Sequence, residues 1–313
     1  MSALIVRSQC PVCDSPAIIQ AIMCKDYTVS GETFEVWECS NCTLRFTQSV
    51  PGESNIGPYY QSYTYISHTD TEKGIVNKLY LLARKYTLNW KMRLVVDLSR
   101  KKNNIGELLD IGAGTGAFLH TAAEGGWKVT GLEPDEGARK ICLEKYNLEV
   151  NPPAALYSIA PASFDVITMW HVLEHVHQLH RYLQEIKRLL KPGGVALIAL
   201  PNYTSKDARV YKEHWAAYDV PRHLYHFSPK AMNYLAGLHQ LCVEDKKAMW
   251  LDAFYIAMLS EQYKKGKGNL LAAFSNGLIS NFEASGNIDA CSSLVYVIRN
   301  KVESHPAPSL QQP

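Results

Sequence analysis

Two cysteine pairs, Cys10-Pro-Val-Cys13 and Cys39-Ser-Asn-Cys42, carry the most specific metal chemistry in the sequence. Knuckles separated by about 25 residues can place four thiolates around one tetrahedral zinc ion. No histidine accompanies them before residue 50, so the expected site is closed and structural, not catalytic. A module this small has too little core to fold without such a staple. A second constellation is Asp110-Ile-Gly-Ala-Gly-Thr-Gly116. There Gly112, Ala113, Gly114 and Gly116 let backbone N–H groups approach a ligand at a helix N-terminus. Glu133, followed by Pro134, comes about 20 residues later, where a carboxylate can accept both hydroxyls of a ribose. By spelling alone, Gly112-x-Gly114-x-x-Ala117 also fits a nicotinamide dinucleotide. A third cluster, Asp219-Val-Pro-Arg-His-Leu-Tyr-His-Phe-Ser228, crowds a cation (Arg222), two possible bases (His223, His226) and a phenol (Tyr225). His214-Trp215 precedes it on the same stretch.

These residues need a frame, and the apolar pattern from Glu107 onward supplies one of alternating strands and helices. Strands are expected at Leu108–Ile111, Lys128–Leu132, Phe164–Trp170, Val195–Leu200, Cys242–Trp250 and Ser293–Arg299. Helices are expected at Phe118–Gly125, Glu136–Tyr146, Val176–Leu190 and Pro229–Gln240, with a two-helix excursion over 252–285. Lys191-Pro-Gly-Gly194 reads as the stop of the third helix. Upstream, Ile75, Leu79, Leu82, Tyr86 and Trp90 follow a helical period, and Arg100 to Asn104 reads as a solvated linker.

Leu109-Asp-Ile-Gly-Ala-Gly-Thr-Gly116, Gly131-Leu-Glu-Pro-Asp135, Phe164-Asp-Val-Ile167 and Leu190-Lys-Pro-Gly-Gly194 come in an order that resembles the successive motifs of class I S-adenosylmethionine (SAM)-dependent methyltransferases. The resemblance implies an α/β, Rossmann-like class I methyltransferase domain with a seven-stranded sheet, here carrying a small N-terminal zinc-binding module. It favours SAM over a dinucleotide. It further implies that Asp110 and the glycines hold the methionine end of SAM, Glu133 the ribose, and Trp170 and His171 the methyl-transfer mouth, with adenine near Ala154 to Tyr157. A weaker resemblance is to the deoxysugar C-methyltransferases: a zinc ribbon, a tyrosine-rich segment (Tyr59, Tyr60, Tyr63, Tyr65, with Ser67 and His68) and Arg222-His-Leu-Tyr-His-Phe-Ser228. It implies that His223 acts at the base step and that tyrosines such as Tyr63 close over the cofactor. This chain departs from it in having Arg222 where that family has Glu and in lacking its long C-terminal domain.

Two other patterns are read as decoys. His171-Val-Leu-Glu174-His175 spells a metallopeptidase motif, but it begins at a strand terminus, so a packing role at a helix start is expected for Glu174 and His175. Asn151-Pro-Pro153 is read as a turn. The regions expected are a ribbon-like module over 1–50, a tyrosine-rich lid and helical linker over 51–103, the catalytic domain over 104–301 and a disordered tail over 302–313.

With 47% hydrophobic and 20% charged residues and a net charge of +2, the composition is that of a globular protein with no electrostatic call for nucleic acid. No signal peptide and no membrane span are expected. The remaining cysteines, Cys24, Cys142, Cys242 and Cys291, are isolated, which favours reduced thiols and a cytoplasmic protein. The expected partner is a small-molecule acceptor of the sugar, polyketide-like or quinone-like type. Methylation of RNA and a protein methyltransferase or adaptor are the alternatives.

Overall fold

The computed structural model describes residues 4–61, 75–99, 106–266 and 268–301, with side chains in the first helix described from residue 82. The expectations on Tyr63, Tyr65, Ser67, His68, the basic linker and the tail fall outside the described residues.

At the N-terminus, β1 (Leu4–Ile5) pairs with β5 (Val50–Pro51), and β2 (Ile18–Lys25), β3 (Thr33–Cys39) and β4 (Arg45–Thr47) form an antiparallel sheet. Phe34 and Val36 alternate inward along β3, the period-2 signature of a sheet with one covered face. Helix α1 (Ile75–Ser99) then leads to the core. Of the expected stripe, Trp90 packs against the core while Leu82 and Tyr86 are exposed, and Leu94 and Val95 are buried against the sheet. Among the described side chains of this helix, Leu88, Met92 and Leu98 also pack against that core.

The core alternates as expected: β6 (Glu107–Ile111), α2 (Ala117–Glu124), β7 (Lys128–Leu132), α3 (Glu136–Tyr146), β8 (Val150–Asn151), β9 (Phe164–Trp170), α4 (Leu179–Leu189) and β10 (Leu190–Pro201). There follow α5 (Lys206–Tyr211), β11 (Tyr225–His226), α6 (Pro229–Leu238), β12 (Leu241–Ala248), α7 (Asp252–Lys265), α8 (Leu270–Gly286) and β13 (Ser293–Asn300). Seven of these strands form one sheet in the order β12-β13-β10-β9-β6-β7-β8. Only β13 runs against its neighbours. Strands β9 and β10 are apolar almost throughout and buried along nearly their whole length, as strands covered on both faces must be.

Three local corrections have physical causes. The third core helix begins at Leu179, because Leu173–His175 is a short 3-10 turn and Val176 is extended. Lys191-Pro-Gly-Gly194 forms a bulge at the start of β10, where pairing with β9 slips between Leu190 and Val195 and Gly193 takes φ 77°. Asn151 closes the edge strand β8, and its carbonyl accepts the Glu133 N–H at 2.9 Å. Within the excursion, Phe254 of α7 stacks on Phe274 of α8, with 5.5 Å between ring centroids.

Candidate functional site

The chain leaves β6 toward β7 on one side and returns to β9 on the other, so the strand order reverses between β6 and β9. In open sheets this reversal opens a crevice at the carboxyl ends of the strands. The glycine loop, Glu133, the His171–His175 segment and the 202–228 connection all leave those ends.

The three loop glycines take positive φ (79°, 53° and 81° at 112, 114 and 116), but for different reasons. A Cβ on Gly112 would come 2.3 Å from Val172 Cγ2, and one on Gly116 would come 2.2 Å from Cys142 Sγ. At Gly114 it would meet nothing within 4 Å. Gly112 and Gly116 are therefore fixed by packing, whereas Gly114 borders open space of the kind a ligand fills. The Gly112 and Ala113 N–H groups donate to the Leu132 carbonyl at 2.7 and 2.9 Å, tying the loop to β7. Glu133 accepts from Gly114 N–H at 2.8 Å and from Asp135 N–H at 2.9 Å, and burial raises its pKa against these donors. The Pro134 carbonyl accepts from Arg139. Asp110 is buried and accepts from Thr168 Oγ1 at 2.7 Å. Burial pushes its pKa up to about 7, opposed by the Thr168 hydroxyl and by Lys91.

Lys91 is a member of this site that the sequence did not single out. It lies on α1, with its ammonium 4.3 Å from the centre of the Trp170 ring. Burial lowers its pKa to about 8, against the pull of Asp110 and Asp252. The Trp170 indole N–H is buried with no acceptor, and its ring packs edge-on against Phe118. His171, at φ 58°, has Nε2 3.0 Å from Asp252 Oδ2 and Nδ1 3.4 Å from Glu174 Oε1. Burial disfavours its cation, yet the two carboxylates win and raise its pKa to about 9. Near Ala154 to Tyr157, a 3-10 turn buries Leu156 and sets Tyr157 under the Arg181 guanidinium at 3.5 Å.

The 202–228 connection joins the ribbon to the core. Strand β11 pairs Tyr225 with Phe46 and His226 with Arg45, becoming the fourth strand of the N-terminal sheet in the order β11-β4-β3-β2. Arg222 is buried and donates to Asp26 Oδ1 at 2.9 Å, to both oxygens of Asp219 and to the Tyr59 carbonyl at 2.8 Å. Its guanidinium thus fastens the connection to β2 and to the tyrosine-bearing turn. Tyr225 turns elsewhere: its hydroxyl accepts from Arg7 at 3.3 Å and donates to the His177 carbonyl at 3.4 Å. His226 Nε2 lies 3.1 Å from Thr47 Oγ1, and burial together with its neighbour His223 holds its pKa well below the ordinary histidine value.

His223 and His175 come together with ring centroids 4.5 Å apart. His223 Nδ1 donates to the Ala217 carbonyl at 2.9 Å, and His175 Nδ1 to the Arg222 carbonyl at 3.0 Å. Burial and then the neighbouring His223 lower the His175 pKa to about 4. Glu174, fully buried beside them, has neither carboxylate oxygen in a hydrogen bond.

In the ribbon, Cys10 Sγ lies 3.5 Å from Cys42 Sγ and Cys13 Sγ 3.5 Å from Cys39 Sγ, with all four sulfurs within 4.8 Å of one another. None is in a disulfide. The two knuckles repeat one geometry: Asp14 N–H donates to the Cys10 carbonyl and Thr43 N–H to the Cys39 carbonyl, both at 3.0 Å. Asp14 and Thr43 both take positive φ. Zinc–sulfur bonds of about 2.3 Å in a tetrahedron set sulfurs about 3.8 Å apart, so the donor set fits that ion.

Fold and crevice define a Rossmann-like class I SAM-dependent methyltransferase. The chain belongs to the methyltransferase-domain family, whose pattern matches residues 82–243, more than half of its length. It is 29% identical over 162 residues to a demethylmenaquinone methyltransferase of Tropheryma whipplei, covering 50% of this chain and 64% of that one. It is 35% identical over 106 residues to a ubiquinone biosynthesis O-methyltransferase of Maricaulis maris, covering 32% of this chain and 42% of that one. The chain thus spans less than two thirds of either relative. The fold is shared with geranyl diphosphate C-methyltransferase from Streptomyces coelicolor A3(2), solved with Mg2+, geranyl diphosphate and S-adenosyl-L-homocysteine. That likeness has TM-score 0.51 and 15% identity, covering 75% of this chain and 88% of that one. No described helix is long and apolar enough to cross a membrane.

Proposed function

We propose that this methyltransferase acts on a small-molecule acceptor held beside the His175–His223 pair, with one structural zinc in the N-terminal ribbon. The observation that carries the reading is enclosure: His223 is 8% exposed and Glu174 0%, beneath a connection fastened to the ribbon sheet. Such enclosure suits a small acceptor better than a folded protein or a nucleic-acid helix. Relatives named for demethylmenaquinone and for ubiquinone biosynthesis support the same class of acceptor.

SAM supplies an electrophilic methyl group on a sulfonium. Gly112, Ala113, Gly114 and Gly116 would approach its amino-acid end, with Asp110 and the Lys91 ammonium there to meet its ammonium and carboxylate groups. Glu133, with Pro134 at its turn, would accept the ribose hydroxyls, and Trp170 and His171 would wall the transfer site. Transfer in line needs the acceptor near the methyl and relieved of any proton it carries. His223 would do this, its Nδ1–H fixed on the Ala217 carbonyl so that Nε2 presents a lone pair. Arg222 would act through Asp219, which it clamps and whose Oδ2 lies 4.0 Å from His223 Nε2. Tyr225 would position β11.

The test is transfer of labelled methyl from SAM into cell extract divided into metabolite, lipid, RNA and protein fractions. Label in the metabolite or lipid fraction, abolished by His223→Ala with SAM affinity retained, is expected. Label in RNA or protein, or unchanged turnover in His223→Ala, overturns the reading. For the ribbon, metal analysis should find one zinc per chain, lost in a Cys10→Ser, Cys39→Ser double variant; a folded, zinc-free wild type refutes it.

A further inference from the structure

We propose that Glu174, His175 and His223 form a binding site for a divalent cation at the acceptor end of the crevice, separate from the four-cysteine site. One ligand atom from each lies within 4.8 Å of the others. The two imidazoles are oriented as metal ligands usually are. Each carries its proton on Nδ1, because each Nδ1 faces a backbone carbonyl that can only accept: Arg222 for His175 and Ala217 for His223. Second-shell carbonyls of this kind fix the tautomer and leave Nε2 free to ligate. Tyr60 completes the His175 anchor, its hydroxyl 3.1 Å from the same Nδ1. His223 Nε2 has only a 4.0 Å approach to Asp219 Oδ2, beyond hydrogen-bond range.

The third member makes the case for an ion. Glu174 is a fully buried carboxylate whose two oxygens accept no hydrogen bond. Its ionic partner is the His171 ring, with Nδ1 at 3.4 Å, which it shares with Asp252 on Nε2. Arg222, the buried guanidinium nearby, is committed to Asp26 and Asp219. One imidazolium shared by two carboxylates leaves a negative charge over, and a fully buried carboxylate that accepts no hydrogen bond is costly to hold unless a further cation meets it. The backbone holds the trio in register: Leu224 N–H donates to the Glu174 carbonyl at 2.8 Å. Two histidines and one carboxylate leave coordination positions open, as sites for divalent first-row ions do.

Binding of the ion stands on this geometry alone, whereas its use in turnover rests on the small-acceptor reading above. An acceptor hydroxyl coordinated to the ion becomes more acidic. Its O–H bond breaks with the proton passing to water, and the oxygen pair forms the C–O bond as the sulfonium S–C bond breaks. His223 then activates the acceptor as a ligand instead of taking the proton itself.

The experiment titrates the full zinc-loaded chain with Mn2+, a hard ion that suits imidazole and carboxylate better than four thiolates, and follows the free-Mn2+ electron paramagnetic resonance signal. One Mn2+ per chain is expected beyond the ribbon zinc. Affinity should fall at least about tenfold in Glu174→Gln and in His175→Ala, with circular dichroism showing both variants folded. Should Glu174→Gln fail to fold, His175→Gln serves in its place. No Mn2+ uptake by wild type, or uptake unchanged in the folded variants, overturns the proposal. Turnover that survives a chelator but dies in His223→Ala leaves the direct-base reading standing and removes the ion. Turnover lost to the chelator and restored by Mn2+ supports the ion.

Discussion

Replacing Arg222 with methionine keeps most of the side-chain volume and removes the charge that ties three segments together. The variant loses the bonds to Asp26 Oδ1, both Asp219 oxygens and the Tyr59 carbonyl. Breaking a buried ion pair by deleting one partner costs about 3–5 kcal/mol, because the other charge is stranded. Here the stranded group is cushioned. Asp26 still accepts from the N–H groups of Thr28, Val29 and Ser30 and from the Ser30 hydroxyl, at 2.8 to 3.1 Å. Asp219 is part-exposed, at 22%. The loss should therefore sit near the lower bound, about 3 kcal/mol, or a fall in melting temperature of roughly 5 °C for a chain of this length. Urea and thermal unfolding measure it, and a double-mutant cycle with Asp26→Asn isolates the pair. Both single variants should unfold earlier with strongly non-additive effects, while SAM affinity stays within about twofold because the glycine loop is untouched. A loss below about 1 kcal/mol, or lost turnover at wild-type stability, would refute the clamp.

Asp26 also predicts acid behaviour. Burial alone would raise its pKa, but the Arg222 guanidinium and the Ser30 and Thr28 N–H groups bring it down from 3.8 to about 2. A depressed carboxyl contributes stability above its unfolded pKa and loses it as pH falls through the folded one. Wild type should thus lose about 2 kcal/mol between pH 4 and pH 2 from this group, seen as a steeper acid limb that Asp26→Asn flattens; parallel curves would refute it. Gly114→Ala should fold with about 1 kcal/mol of left-handed strain yet bind SAM at least roughly tenfold more weakly. Gly116→Ala should instead melt early, since its Cβ meets Cys142; thermal shifts with and without SAM separate the two, and wild-type SAM binding by Gly114→Ala would count against the loop assignment. Lys91→Met should raise the SAM dissociation constant by roughly tenfold or more, the worth of a charge-assisted contact. Calorimetry showing unchanged affinity would place the SAM carboxylate elsewhere.

The βαβ frame was legible because its strands and helices announce themselves locally. Lys128–Leu132 and Phe164–Trp170 are short runs with β-branched residues bounded by turns, and Asp135 caps α3 by accepting from Ala138 N–H. The glycine loop was legible for the same reason, as a turn whose backbone needs positive φ. What stayed hidden depends on distance along the chain. Pairing of Tyr225–His226 with Arg45–Phe46 spans some 180 residues and leaves no periodic trace in a two-residue strand. Arg222 read as the cation of a reactive cluster because histidines and a tyrosine stand near it in sequence; its carboxylate partner Asp26 lies 196 residues away. Lys91 was invisible because a lone lysine on a helix usually faces water. Glu174 read as packing because the pattern that flagged it joined it to His171 and His175 alone. The third member of the cluster with Glu174 and His175 is His223, on another strand's exit.

The fourth strand of the ribbon sheet also decides what can be exchanged between relatives. Because β11 belongs at once to the cysteine-bearing sheet and to the connection bearing His223, a chimera that imports a new acceptor loop must import residues 4–51 with it. The unit of inheritance for specificity is a discontinuous one, two distant stretches of chain woven into a single fabric.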